Sequence, residues 1–146
     1  MARLTAADVA CWLLKTSTPP DELSPGWGAG EERLLDRCLR PSYRIGLLAP
    51  GQPCLLWLSG RHHPGVQALG TVAGAVDDGP GGPSVPVRVR LLHEPVPRAE
   101  LLADPAFADA EVVRMAAGSN PSWLSADQFA AVLARADGPG LGAWRA

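Results

Sequence analysis

Lys15 is the only lysine in the chain, against twelve arginines. The composition leans toward Arg, Ala, Gly and Pro, as in a GC-rich coding source, so a retained lysine is informative. An ammonium is a compact point charge and a guanidinium a planar fork, so the two are poorly interchangeable at a tight site. Lys15 ends the apolar run Val9-Ala10-Cys11-Trp12-Leu13-Leu14 and precedes Thr16-Ser17 and Pro19-Pro20. It reads either as a ligand-directed cation or as an ordinary charge at a strand end. A second hydroxyl, Ser59, ends the run Cys54–Leu58, and after Arg61-His62-His63 the segment Pro64-Gly65-Val66 opens another. Proline is rigid there, and glycine lets a ligand approach the main chain closely. Ser59, Gly65 and Val66 could therefore form one rim where a hydroxyl and backbone groups meet a small ligand.

Other chemistries are weaker. His62, His63 and His93 could suggest a metal, but adjacent histidines on a turn point apart. No carboxylate or cysteine stands near them at ligand spacing, so neither a metal nor a cofactor is expected. Cys11, Cys38 and Cys54 are odd in number and widely spaced, which argues against disulfides and zinc. Cys11 and Cys54 lie in apolar runs and read as core. Hydrolysis would need a base and a cationic stabiliser in one cleft, with Lys15 and His62 the available pair. Binding without catalysis is the first expectation, hydrolysis of RNA or a nucleotide the alternative. A protein-interaction module using the Gly/Pro-rich loop and tail is a third.

The net charge of −2 counts against a nonspecific nucleic-acid binder, because phosphate neutralisation supplies most of that affinity. Its distribution matters more. From Arg33 to Arg61 the charges are Arg33, Arg37, Arg40, Arg44 and Arg61, with Asp36 the one acid. Arg37, Arg40, Arg44 and Arg61 are thus candidates for directed phosphate contacts, the alternative being a solvated helix face. Aromatic residues make up 5% of the chain, so its five tryptophans stand out. For Trp12 and Trp57, core packing on adjacent strands is one role.

These residues need elements to hold them. Val9–Lys15, Cys54–Ser59, Val66–Val76 and the alternating run from Val85 to Leu92 read as strands. Leu34, Leu35 and Cys38 stand at helical spacing, which predicts a short amphipathic helix over Gly30–Leu39. Gly46–Ala49 reads as a turn or short 3₁₀ segment. Asp77-Asp78-Gly79-Pro80-Gly81-Gly82-Pro83 reads as a mobile hairpin loop. A short helix should begin at Pro97-Arg98. Ser119-Asn120-Pro121 is a turn, because Asn before Pro is pushed out of the helical region. Ser125 with Gln128 forms an S-x-x-Q capping box for a last helix to about Ala136. The size fits one domain, residues 1–136, which would bury roughly 70% of its unfolded surface, followed by a Gly-rich tail, 137–146. No run is long enough for a membrane span and no basic-then-apolar leader opens the chain, so a cytoplasmic location is expected.

Together the segments resemble the EVE domain family of the PUA-like superfamily. Trp12-Leu13-Leu14-Lys15-Thr16-Ser17 with Pro19 is similar to its opening strand. Trp57-Leu58-Ser59-Gly60 and Pro64-Gly65-Val66 through Gly70 are similar to its strand ending in a small hydroxyl residue and the P-G-(V/I) continuation. Val85–Leu92 and Arg98–Pro105 resemble the next strand and helix. The resemblance spans roughly Val9 to Ala136. It implies an α+β fold, a PUA-like small β-barrel flanked by short helices. It further implies a nucleic-acid partner, DNA or RNA, whose modified base, for example a modified cytosine, is held in a pocket. Two of Trp12, Trp57 and Trp123 would wall that pocket, an aromatic face contributing about 1–3 kcal/mol per stacked base, and Ser17, Ser59 and Asn120 would bond the base edge. Two departures bear on ligand preference. Arg40-Pro41-Ser42-Tyr43-Arg44 lacks the asparagine of the family's Arg-Asn-Tyr-type segment, and Ser17-Thr18 stands where an acid often follows.

Overall fold

The computed structural model describes residues 3–136. Its seven strands form one mixed sheet in the order β2-β6-β4-β3-β1-β7, with β5 paired to β6. The strands are β1 (Cys11–Thr16), β2 (Glu32–Cys38), β3 (Pro53–Leu58), β4 (Gly65–Val72), β5 (Asp77–Gly79), β6 (Gly82–Pro97) and β7 (Ser122–Leu124). Four short helices accompany them: α1 (Pro20–Leu23), α2 (Arg98–Leu102), α3 (Glu111–Arg114) and α4 (Ala126–Arg135). The architecture is α+β, as expected. Among the described residues no helix is long and apolar enough to cross a membrane.

β1 and β3 pair in parallel, Leu13 beside Leu55 and Lys15 beside Trp57. A strand buried on both faces needs apolar residues at successive positions, which is why both read as continuous apolar runs. Alternate residues feed two cores. Cys11, Leu13, Leu55 and Trp57 pack with Leu101, Phe107, Val112 and Val132 of the helical layer. Trp12, Leu14, Cys54 and Leu56 pack on the other face with Val85, Val87 and Val89 of β6. Ser125 caps α4 as expected, its Oγ accepting from Gln128 N–H and Gln128 Oε1 from Ser125 N–H.

Two local expectations are corrected. The segment expected as a helix over Gly30–Leu39 is strand β2, paired antiparallel with β6, Leu35 opposite Val87. Its exposure alternates with period two, so Leu34 and Cys38 face outward and only Leu35 of the three faces the core. Helical spacing misled because the segment is seven residues long and answers to its β6 neighbour. The Gly/Pro-rich segment is a regular hairpin, Asp77 pairing with Ser84 and Gly79 with Gly82 around Pro80-Gly81. The residues expected as a turn or 3₁₀ segment overlap a 3₁₀ helix at Tyr43–Leu47.

The strand pairing does not close into a barrel, since β2 and β7 end the sheet unpaired with each other. Just beyond both, Arg40 N–H donates to the Asn120 carbonyl at 3.0 Å. The expected tail, 137–146 with Trp144, lies outside the described residues.

Candidate functional site

Odd-numbered residues of β1 face the helical layer, and Lys15 is the last of them. Its ammonium donates to the carbonyls of Met115 at 3.1 Å, Ala116 at 3.4 Å and Gly118 at 2.9 Å. An ammonium has three donors, so all are engaged. Three carbonyls converging from one tight turn suit a point charge better than a planar fork. Burial pulls the Lys15 pKa down, the Glu111 charge opposes this, and Arg44 adds to it. The turn also holds itself, Met115 N–H reaching the Glu111 carbonyl and Gly118 N–H the Met115 carbonyl.

Behind this turn Arg44 grips Glu111 with both terminal nitrogens, at 2.8 and 2.6 Å. Arg44 also donates to the Pro121 carbonyl at 3.0 Å, and Ser122 Oγ donates to Glu111 Oε1 at 2.9 Å. The Arg44 hydrogen bonds hold the Glu111 carboxyl below its usual range, against burial and with help from Ser122. The reciprocal bond raises the Arg44 pKa. Arg44, Glu111 and Pro121 line a cleft of 330 Å³ together with Arg40, Met115, Ser119 and Asn120. Arg40 reaches Ser119 Oγ at 3.3 Å, and the Asn120 carboxamide bonds the Lys15 main chain. The charged and amide groups of this cleft largely satisfy one another.

On the other side of the turn lies a pocket of 190 Å³, lined by Trp57, Ser59, Gly60, Pro64, Arg98, Val112 and Ala116. Ser59 is fixed by its N–H to the Thr16 carbonyl and Arg98 by its N–H to the Pro64 carbonyl. Trp57 is held by stacking on Phe107, ring centres 6.1 Å apart. Among the described residues, neither the Ser59 hydroxyl nor the Arg98 guanidinium has a side-chain hydrogen-bond or ion-pair partner. A mixed lining, with apolar contact from Trp57, Pro64 and Val112 and two open polar groups, suits a small flat ligand carrying hydrogen-bond acceptors.

The expected site residues divide accordingly. Trp57 and Ser59 line the small pocket; Arg40, Arg44 and Asn120 line the larger cleft. Lys15 ties down the wall between the two. Trp12 is corrected to a core residue, fully buried with its indole N–H on Gln52 Oε1 at 2.7 Å. Val66 is likewise fully buried. Gly65 serves strand packing, because a Cβ there would collide with the Val96 carbonyl, and its φ is +142°. Trp123 is half-buried, opposite Trp12 and against the core on that face. Ser17 is exposed just past β1. Arg37 lies on β2 opposite Val85, and Arg61 is exposed on the β3–β4 turn beside His62. Lys15 and His62 are not brought together in either cavity lining. Among the described residues no group of three His, Cys, Asp or Glu side chains could hold a metal ion.

Sequence reasoning missed Glu111, Met115 and Arg98. Arg98 did leave a signal: it is the first residue of α2, and a cation at a helix N-terminus works against the helix dipole. Glu111 and Met115 left none, because their roles depend on partners distant in sequence.

No family model matches the chain, and no curated protein matches it. Solved structures do. A hypothetical protein from Leishmania major superposes with a TM-score of 0.69 at 18% identity, over 88% of this chain and 95% of that one. A protein from Pseudomonas putida gives 0.67 at 17%, over 86% and 98%. The human THYN1 protein, in complex with DNA containing 5-methylcytosine, gives 0.60 at 15%, over 85% and 95%. At these identities the likeness is one of fold, and THYN1 has an EVE/PUA-like domain, the fold type that the sequence resemblance implied.

Proposed function

We propose that this chain is a nucleic-acid-binding module that holds one modified base, a modified cytosine in the first instance, in the pocket between Trp57 and Arg98. The reading rests on Ser59 and Arg98, which line a small pocket and whose side chains have no hydrogen-bond or ion-pair partner among the described residues. A base leaves its stack at a cost of a few kcal/mol. Apolar contact with the pocket walls offsets part of that cost, and hydrogen bonds from Ser59 and Arg98 to ring acceptors offset more. The 5-methylcytosine DNA bound by a protein of the same fold supports the choice of ligand. Arg40 and Arg61, both exposed, supply the phosphate contacts. On this reading the chain binds without catalysing, Lys15 being occupied by three carbonyls. The same reading takes the open sheet as a PUA-like barrel with its seam at the Arg40–Asn120 bond.

The test is titration of the protein, followed by tryptophan fluorescence, with matched oligonucleotides carrying cytosine, 5-methylcytosine or 5-hydroxymethylcytosine. Tighter binding of a modified strand, lost in Ser59→Ala and Arg98→Ala, supports the reading. Equal, salt-sensitive binding to all three would reduce the chain to a backbone binder, and no binding would remove the proposal.

A further inference from the structure

Met115 is 58% exposed although its backbone is anchored on both sides. Its N–H is bonded to the Glu111 carbonyl, and its own carbonyl accepts from both Gly118 N–H and the Lys15 ammonium. The side chain lines the 330 Å³ cleft, and its neighbour Ala116 lines the 190 Å³ pocket. Met115 therefore crowns the wall between them. Three other large apolar side chains are exposed among the described residues, Leu34, Tyr43 and Leu102, and none lines either cavity. Around this crest are exposed or half-exposed cations, Arg40 at the cleft and Arg98 at the pocket, with Arg114 exposed one residue before Met115.

An anchored turn that presents a flexible apolar side chain among cations is the arrangement needed to push into a base stack. Apolar wedges such as Met, Leu or Phe enter between base steps and unstack them. An unbranched thioether adapts to an irregular gap.

From this geometry we infer that Met115 is the wedge that enters a duplex and fills the space left by the base turned into the pocket beside it. The inference rests on the base-holding function proposed above. Met115 is a positioning residue for duplex substrates and adds nothing for a base already unpaired. Lys15 is the brace that keeps the wedge from folding back.

The experiment compares wild type with Met115→Ala and Met115→Phe on one sequence carrying a single 5-methylcytosine, as duplex and as single strand. Anisotropy gives the affinities, and 2-aminopurine next to the modified base reports unstacking. Met115→Ala should lose about ten-fold in duplex affinity, along with the 2-aminopurine rise, and keep its single-strand affinity. Met115→Phe should restore both. Unchanged duplex binding by Met115→Ala, or equal loss on duplex and single strand, overturns the wedge. If that happens while Ser59→Ala and Arg98→Ala still weaken binding, the base pocket stands without it. If wild type binds neither form, pocket and wedge fall together.

Discussion

Asn120 turns both ends of its carboxamide to the main chain of Lys15, Oδ1 accepting the Lys15 N–H at 2.7 Å and Nδ2 donating to the Lys15 carbonyl at 3.0 Å. The side chain thereby continues the antiparallel pairing of β1 with β7 past Leu13 and Ser122, where the β7 ladder stops. Lys15 is thus held twice by one stretch of chain, its backbone by Asn120 and its ammonium by residues 115–118.

Asn120→Ala should strand one donor and one acceptor in a part-buried strand. Each unsatisfied group costs about 1–3 kcal/mol, and water reaching the strand end reduces the sum. We expect a stability loss of about 2 kcal/mol in urea denaturation, with the slope unchanged. A loss within error would mean that the carboxamide follows the strand without supporting it.

Lys15→Met and Lys15→Arg should behave alike, although one removes the charge and the other keeps it. What the turn needs is three donors at one point, which a planar guanidinium does not supply. Faster amide hydrogen exchange at Gly118, whose N–H closes the turn on Met115, should appear in both variants. Protection in Lys15→Arg equal to wild type would show that charge alone suffices.

The strands of the central sheet were legible because apolar residues buried on both faces leave unbroken runs, as at Cys11–Leu14 and Cys54–Leu58. The α4 cap was legible because a capping box is local in sequence. β2 was not, since Leu34 and Leu35 fit two periods and the choice was made by β6, some fifty residues away. In the site, Ser59 and Trp57 could be picked out because they end a strand at a turn. Trp12 and Val66 could not be separated from them, because adjacent strand residues face opposite ways and the sequence does not label the faces. Arg44 could be seen as a cation, but not as one already bound to Glu111.

Glu111→Gln should expose the pH dependence of the Arg44 link. Folding lowers the Glu111 pKa, so its contribution to stability is present above the ordinary carboxylate range, about 4.3, and is lost as pH falls through the lower folded value. Hydrogen bonds to a charged group contribute about 1.5–3 kcal/mol. Wild type should therefore exceed Glu111→Gln by about that much at neutral pH, and the gap should narrow as pH drops below the ordinary range. Denaturation midpoints at several pH values check this. A gap that widens on acidification would mean that the carboxyl is protonated in the fold.

Arg98 and Ser59 separate recognition from folding. Neither side chain bonds another described residue, so Ser59→Ala and Arg98→Ala should shift stability by no more than about 0.5 kcal/mol. Both should weaken binding of a modified strand. The salt dependence then assigns Arg98. If it contacts phosphate, Arg98→Ala lowers the salt slope by about 1 and weakens every sequence alike. If it bonds the base in the pocket, the slope is unchanged and the preference for the modified base falls. We expect the second result, because Arg98 lines the pocket beside Trp57 and Pro64, whereas Arg40 and Arg61 do not.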